Sequence, residues 1–90
     1  MKRSELAVRF KEAVKKTAKT IGRRPLIAPP YVLRNPQLQN LRSWPVEGFE
    51  ATRLYFLVEN GAIRVIRILH GKQDISGILE RERPAEDPFA

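Results

Sequence analysis

The fold is decided by residues Leu41 to Leu79, which read LRSWPVEGFEATRLYFLVENGAIRVIRILHGKQDISGIL. Two runs rich in aromatic and β-branched residues lie on either side of Asn60-Gly61. Asn-Gly between such runs indicates a type I′ hairpin, because that turn needs a positive φ at both central positions. We therefore predict two antiparallel strands, 51–59 and 62–69, joined by a tight turn.

Shorter elements flank this hairpin on both sides. The segment 41–46 predicts a further strand, connected to the hairpin by a turn around Gly48. After the hairpin, Asp74 is placed to cap a short helix over 75–80. The three strands then form an antiparallel meander followed by a short C-terminal helix.

The N-terminal segment predicts an amphipathic helix from Glu5 to Ile21. Its apolar residues recur at the i, i+3, i+4 spacing of one helix face. Ser4 is the expected N-cap and Gly22 the expected C′ residue. The apolar stripe favours packing on the sheet over lying on an anionic membrane. The opposite face carries Arg9, Lys11, Lys15, Lys16 and Lys19.

The connection 22–40 contains four prolines, which argue against a continuous helix or strand there. Tyr31, Val32 and Leu33 are expected to hold it against the core. The charged segment 81–90, with two prolines, predicts a disordered tail. The fold class is therefore α+β, a single domain over 1–80 with the N-terminal helix packed on the sheet.

Charge and composition restrict the function classes. The net charge is +7, and residues 1–24 hold nine Lys or Arg against two Glu. Such a surface attracts polyanions or an acidic protein, although it can also be a solvated helix face. The chain has no cysteine, which fits a reducing compartment, and no apolar run long enough for a membrane span. We expect a soluble cytoplasmic protein that needs no metal or other cofactor.

The hairpin and the segment after it supply a set of cationic side chains. Guanidinium groups bind phosphate or carboxylate, so the set is suited either to RNA or to an acidic protein. His70 can act as a general base or serve a structural role. Strict alternation along 62–69 predicts Arg64 and His70 on one face and Arg67 on the other. The set comprises Arg42, Arg53, Arg64, Arg67, His70 and Lys72.

Several of these residues resemble a known family. Leu-Arg-Ser-Trp-Pro-Val from Leu41, the strand bearing Tyr55-Phe56, and Ile-Arg-Val-Ile-Arg-Ile-Leu-His-Gly ending at Gly71 resemble the C-terminal half of RelE/ParE toxins. Leu69-His70-Gly71 with Asp74-Ile75 is similar to the ParE branch, the plasmid stabilisation toxins. The resemblance implies a small α+β toxin of a type II toxin-antitoxin system, neutralised by an antitoxin encoded beside it.

The family offers two activities. ParE-like members inhibit DNA gyrase, whereas RelE-like members are metal-independent endonucleases that cleave mRNA on the ribosome. Arg53 and Lys72 resemble basic RelE positions, and Arg67 and His70 complete the nuclease hypothesis. Leu79 stands where a catalytic tyrosine is expected, which favours the ParE-like alternative. We therefore assign no catalytic residue outside the nuclease hypothesis.

The chain also departs from the family pattern. The usual first strand and first helix are not seen ahead of Ser4, so an open sheet edge is expected that a partner or second copy can pair with. Gln73 and Leu57 replace common arginines. An inactive member that retains only antitoxin binding is therefore a third alternative.

The expected partners are an antitoxin, forming an oligomer with the protein, and gyrase, or the ribosome and mRNA under the nuclease hypothesis. We expect partner binding through Arg9, Lys15, Lys16, Lys19, Arg42, Arg64, Arg67, His70, Lys72 and Gln73.

Overall fold

The computed structural model describes residues 2–84. A long helix, two single 3₁₀ turns and three strands are followed by a short helix. This order confirms the predicted α+β arrangement of helix, meander and short C-terminal helix. The elements are α1 (Arg3–Arg23), the turns Pro25–Ile27 and Pro36–Leu38, β1 (Arg42–Val46), β2 (Phe49–Glu59), β3 (Ala62–His70) and α2 (Ile75–Glu80).

The hairpin between β2 and β3 forms as the sequence predicts. Asn60 and Gly61 have φ values of 53° and 77°, and Glu59 pairs with Ala62 across the turn. Positive φ at both central positions is the signature of a type I′ turn. The strands are antiparallel in the order β1-β2-β3, with a tight turn before β2 in which Gly48 has a φ of 80°.

The predicted caps of α1 are wrong. The helix begins at Arg3 and ends at Arg23, so Ser4 and Gly22 both lie inside it. Lys2 occupies the N-cap position without a side-chain hydrogen bond. Capping preferences contribute only about 1 kcal/mol, so packing of the helix on the sheet can override them. The predicted cap of α2 is confirmed, because the Asp74 carboxylate accepts a hydrogen bond from the Gly77 N–H at 3.2 Å.

Each face of the sheet carries a hydrophobic core. One face packs against α1 through a core that includes Ile21, Leu54 and Phe56, with the partly buried Trp44 packed against it. The other face packs under the connection and α2 through a core that includes Tyr55 and Leu79. Helix α1 therefore has the packing role that its apolar stripe predicts.

The side-chain faces predicted for β3 are wrong beyond Val65, because the strand contains a β-bulge. Tyr55 of β2 pairs with Arg67, while the next residue, Phe56, pairs with Val65. Ile66 is thus an extra residue that shifts the alternation by one position. Paired residues share a sheet face, so Arg64 and Arg67 lie together on the α2 face. His70 lies on the α1 face.

The connection is fixed to the core by two of the three predicted residues. The rings of Tyr31 and Tyr55 meet edge to face with centroids 5.4 Å apart, and Leu33 packs against the same core. Val32 is 88% exposed, so its predicted core role is wrong. The reason is that the extended segment 31–33 alternates its side chains between core and solvent.

A buried asparagine ties this connection to the end of α2. The Asn35 side-chain amide donates to the carbonyl oxygens of Leu79 at 2.9 Å, Glu80 at 3.3 Å and Glu82 at 2.8 Å. Its carbonyl oxygen accepts from the Gln37 N–H at 3.0 Å. Of the tail predicted over 81–90, residues 85–90 lie outside the described residues, while Glu82 is held by these contacts.

Candidate protein-binding surface

The basic face of α1 is open to solvent. Arg9, Lys15, Lys16 and Lys19 are exposed along the helix. Lys16 lies 3.6 Å from the Glu47 carboxylate, and both side chains remain mostly exposed. Ion pairs of this kind contribute about 0–1 kcal/mol to stability, so the lysine charge is available to an outside carboxylate. The first turns of α1 also expose Leu6 and Val8.

Two arginines of the predicted cationic set are used inside the protein: Arg42, predicted to bind a partner, and Arg53, predicted only under the nuclease hypothesis. The Arg42 Nη1 donates to the Ala28 carbonyl oxygen at 2.6 Å, and Arg53 donates from Nε and Nη2 to the Ser43 hydroxyl at 3.3 and 3.1 Å. Both side chains are half-buried. Their contacts give them structural roles in joining β1 to its neighbours.

Arg53 also affects a buried tyrosine. Burial raises the pKa of Tyr55 above its ordinary value, the nearby Tyr31 raises it further, and the Arg53 charge opposes the shift. The Tyr55 phenol therefore stays neutral at physiological pH. It acts as part of the core.

Residues 70–73 form a turn that orders the histidine. The Gln73 side-chain oxygen accepts from the His70 backbone N–H at 2.7 Å, and the His70 Nδ1 accepts from the Lys72 backbone N–H at 3.1 Å. These contacts require neutral His70 to carry its proton on Nε2. The Gln73 side chain is thus engaged within the turn.

The four residues of the nuclease hypothesis do not share one face of the sheet. Arg53 and Arg67 lie on the α2 face, opposite Leu69 and Tyr55. His70 pairs with Thr52 on the α1 face, and Lys72 is exposed in the following turn. Leu79, at the position expected for a catalytic tyrosine, is fully buried in the core. No described contact joins the four into a catalytic arrangement.

The strand β3 brings together residues that the sequence pattern placed apart. Arg64 and Arg67 project from the α2 face, with Arg64 3.5 Å from Glu59 and Arg67 2.7 Å from Glu82. Sequence reasoning missed the two aliphatic residues on the opposite face, Val65 and Ile68, which are 39% and 37% exposed. A bulge has no reliable sequence signal, so this sorting was not predictable.

Two kinds of feature are absent from residues 2–84. No group of three or more His, Cys, Asp or Glu side chains in this part of the chain is placed to hold a metal ion. Neither described helix has the length and apolarity needed to cross a membrane.

The site is thus a surface with three parts: the basic face of α1, the outer edge of β3, and the turn at His70. No family model matches the chain, and no curated protein or solved structure matches it either.

Proposed function

We propose that this protein is the ParE-like toxin component of a type II toxin-antitoxin system, which binds a cognate antitoxin and inhibits DNA gyrase in the cytoplasm. The resemblance over residues 41–79 is what suggests the toxin class. The observation that best supports a protein-binding role is the open cationic face of α1. Lys15, Lys16 and Lys19 are exposed there, and the ion pair of Lys16 with Glu47 is weak because both side chains lie in solvent.

The same features argue against the endonuclease as the first choice. Arg53 is engaged by Ser43, and the position of the expected tyrosine is buried. A general acid or base must reach the substrate to transfer a proton. Protein binding needs only an accessible complementary surface, which the basic helix supplies.

The proposal is tested by tightly controlled expression in a bacterial host, with and without the adjacent reading frame. We expect growth arrest that the neighbouring gene product relieves, and loss of DNA supercoiling by purified gyrase when the protein is added. Cleaved transcripts in a translating extract with normal supercoiling would replace the proposal with the nuclease alternative. Normal growth together with tight binding of the neighbouring product would identify an inactive member.

Reversing charge on α1 should weaken association with the antitoxin. We expect Lys15→Glu/Lys16→Glu/Lys19→Glu to lower the association rate constant by about tenfold or more at low salt, and to flatten its dependence on ionic strength. Stopped-flow fluorescence with the purified neighbouring gene product measures both quantities. Arg3→Glu/Arg34→Glu/Arg83→Glu makes the same change in net charge elsewhere. Equal rates for the two triple variants would contradict a specific role for this helix face.

A further inference from the structure

Other described segments of the chain pair with one edge of the sheet and leave the other edge open. At β1 the connection runs alongside: the Tyr31 N–H donates to the Leu41 carbonyl oxygen at 2.8 Å, and the Ser43 N–H donates to that of Pro29 at 3.2 Å. No strand within residues 2–84 pairs with the outer edge of β3. An unpaired edge presents outward N–H and C=O groups that can accept another strand.

Beside this open edge, charged side chains lie on one face of the sheet and aliphatic side chains lie on the other. The bulge at Ile66 places Arg64 and Arg67 on the α2 face. On the α1 face it places Val65 and Ile68, both more than one-third exposed. A strand added beside β3 alternates its own side chains between the same two faces. Its side chains therefore contact arginines on one face of the sheet and aliphatic side chains on the other.

Arg67 retains capacity for a further carboxylate. Arg67 contacts Glu82 through Nε, and its two terminal nitrogens have no partner among residues 2–84. The Arg67 side chain is 50% exposed, and the Arg64–Glu59 pair is exposed to a similar degree. A guanidinium has five N–H donors, so an incoming carboxylate can bind the terminal nitrogens of Arg67 while Glu82 keeps its contact with Nε.

The same features disfavour a second copy of this chain as the added strand. When two copies pair antiparallel about a two-fold axis normal to the sheet, the α2 faces of both copies lie on the same side of the joined sheet. This pairing therefore collects Arg64 and Arg67 of both copies on one face. Like charges on neighbouring strands destabilise pairing, and each chain already carries a net charge of +7. An acidic strand from another protein brings negative charge to the two arginines, so neither the repulsion between like charges nor the repulsion between two positively charged chains arises.

We propose that the outer edge of β3 is a strand-addition site for an extended acidic segment of a partner protein, in which carboxylates alternate with aliphatic residues. Carboxylates face Arg64 and Arg67, aliphatic side chains cover Val65 and Ile68, and main-chain hydrogen bonds extend the sheet. The proposal depends on the proposed function in one respect, which is that the partner is an acidic protein. It adds the place and conformation of that partner's segment.

The test uses the purified protein and synthetic peptides of about eight residues, the length of an ordinary strand. The probe peptide alternates Glu and Val. One control has the same composition in two blocks, and another alternates Lys and Val. Fluorescence anisotropy should show the probe binding at least about tenfold more tightly than either control. Amide hydrogen exchange within 62–70 should slow when the probe is bound, because main-chain pairing protects N–H groups.

Substitutions separate pairing from general attraction. Arg64→Glu/Arg67→Glu should reverse the preference toward the Lys-Val peptide, whereas Arg3→Glu/Lys11→Glu, with equal net charge, should leave the preference unchanged. Arg64→Gln/Arg67→Gln avoids placing carboxylates beside Glu59 and Glu82. With this neutral pair the probe's advantage over the Lys-Val peptide should fall by about tenfold.

Three results would overturn the proposal. Equal binding of the alternating and block peptides would mean that charge alone attracts them. Absence of binding would remove the site. A dimer of the free protein in light scattering, with the same amides already protected, would assign the edge to a second copy. None of these results bears on growth arrest or supercoiling, so the proposed toxin role is tested separately.

Discussion

Replacing Asn35 with aspartate should lower the free energy of unfolding by about 3 kcal/mol. The side-chain amide is 3% exposed and donates to three carbonyl oxygens at the end of α2. A carboxylate has no proton to donate, so it would face those oxygens in a site with little access to water. The loss is a large fraction of the stability of a domain this size.

Urea unfolding followed by circular dichroism measures this loss. The penalty should be smaller at about pH 4 than at about pH 7, because a protonated aspartate can donate one hydrogen bond. The sign follows from burial, which raises the pKa of the new carboxyl in the folded state, so stability is lost as the pH rises. Gln37→Ala changes an exposed side chain in the same turn and is the control. Equal midpoints for the two variants would show that Asn35 does not join the connection to α2.

Replacing Phe56 with alanine should cost about 3–5 kcal/mol, the range observed when buried aromatic side chains are deleted. Phe56 is fully buried in the core between the sheet and α1, in the central strand. The cavity left behind lies among residues of both layers, so α1 loses part of the surface on which it packs. The free energy of unfolding of native proteins starts at about 5 kcal/mol, and a small domain lies near that end, so we expect this variant to be partly unfolded at 37 °C.

The matched control for this core prediction is Val58→Ala. Val58 lies on the same face of the same strand, but it is near the hairpin turn and 39% exposed. Its truncation should cost less than about 1 kcal/mol. Thermal unfolding monitored by near-ultraviolet circular dichroism distinguishes the two variants. Similar melting temperatures would mean that the core between α1 and the sheet contributes little to stability.

Local chemistry made most of the elements predictable. Asn60-Gly61 fixes a turn because its two residues tolerate positive φ, and Asp74 caps α2 through a hydrogen bond three residues away. Alternation correctly places Tyr55 and Phe56 on opposite sides of β2, in different cores. Each of these features depends on residues that are neighbours in the chain.

The candidate surface was only partly predictable. The exposed lysines of α1 follow directly from helical periodicity, and the structure places them where the sequence does. Arg42 and Arg53 were expected at the surface, but Arg42 bonds to Ala28 in the connection and Arg53 bonds to Ser43 on the neighbouring strand. Which cations are free to meet a partner depends on internal acceptors that only the packed structure brings within reach.

The order of helix and strands, the hairpin turn, the two faces of the central strand and the positive charge of α1 all follow from local sequence. The bulge that groups Arg64 with Arg67, and the role of Asn35, arise only when the chain is folded. A bulge is set by how β3 pairs with β2, and Asn35 bonds to carbonyls 44 to 47 residues away. Such features depend on contacts between distant segments, whose energies do not exist until the chain is folded.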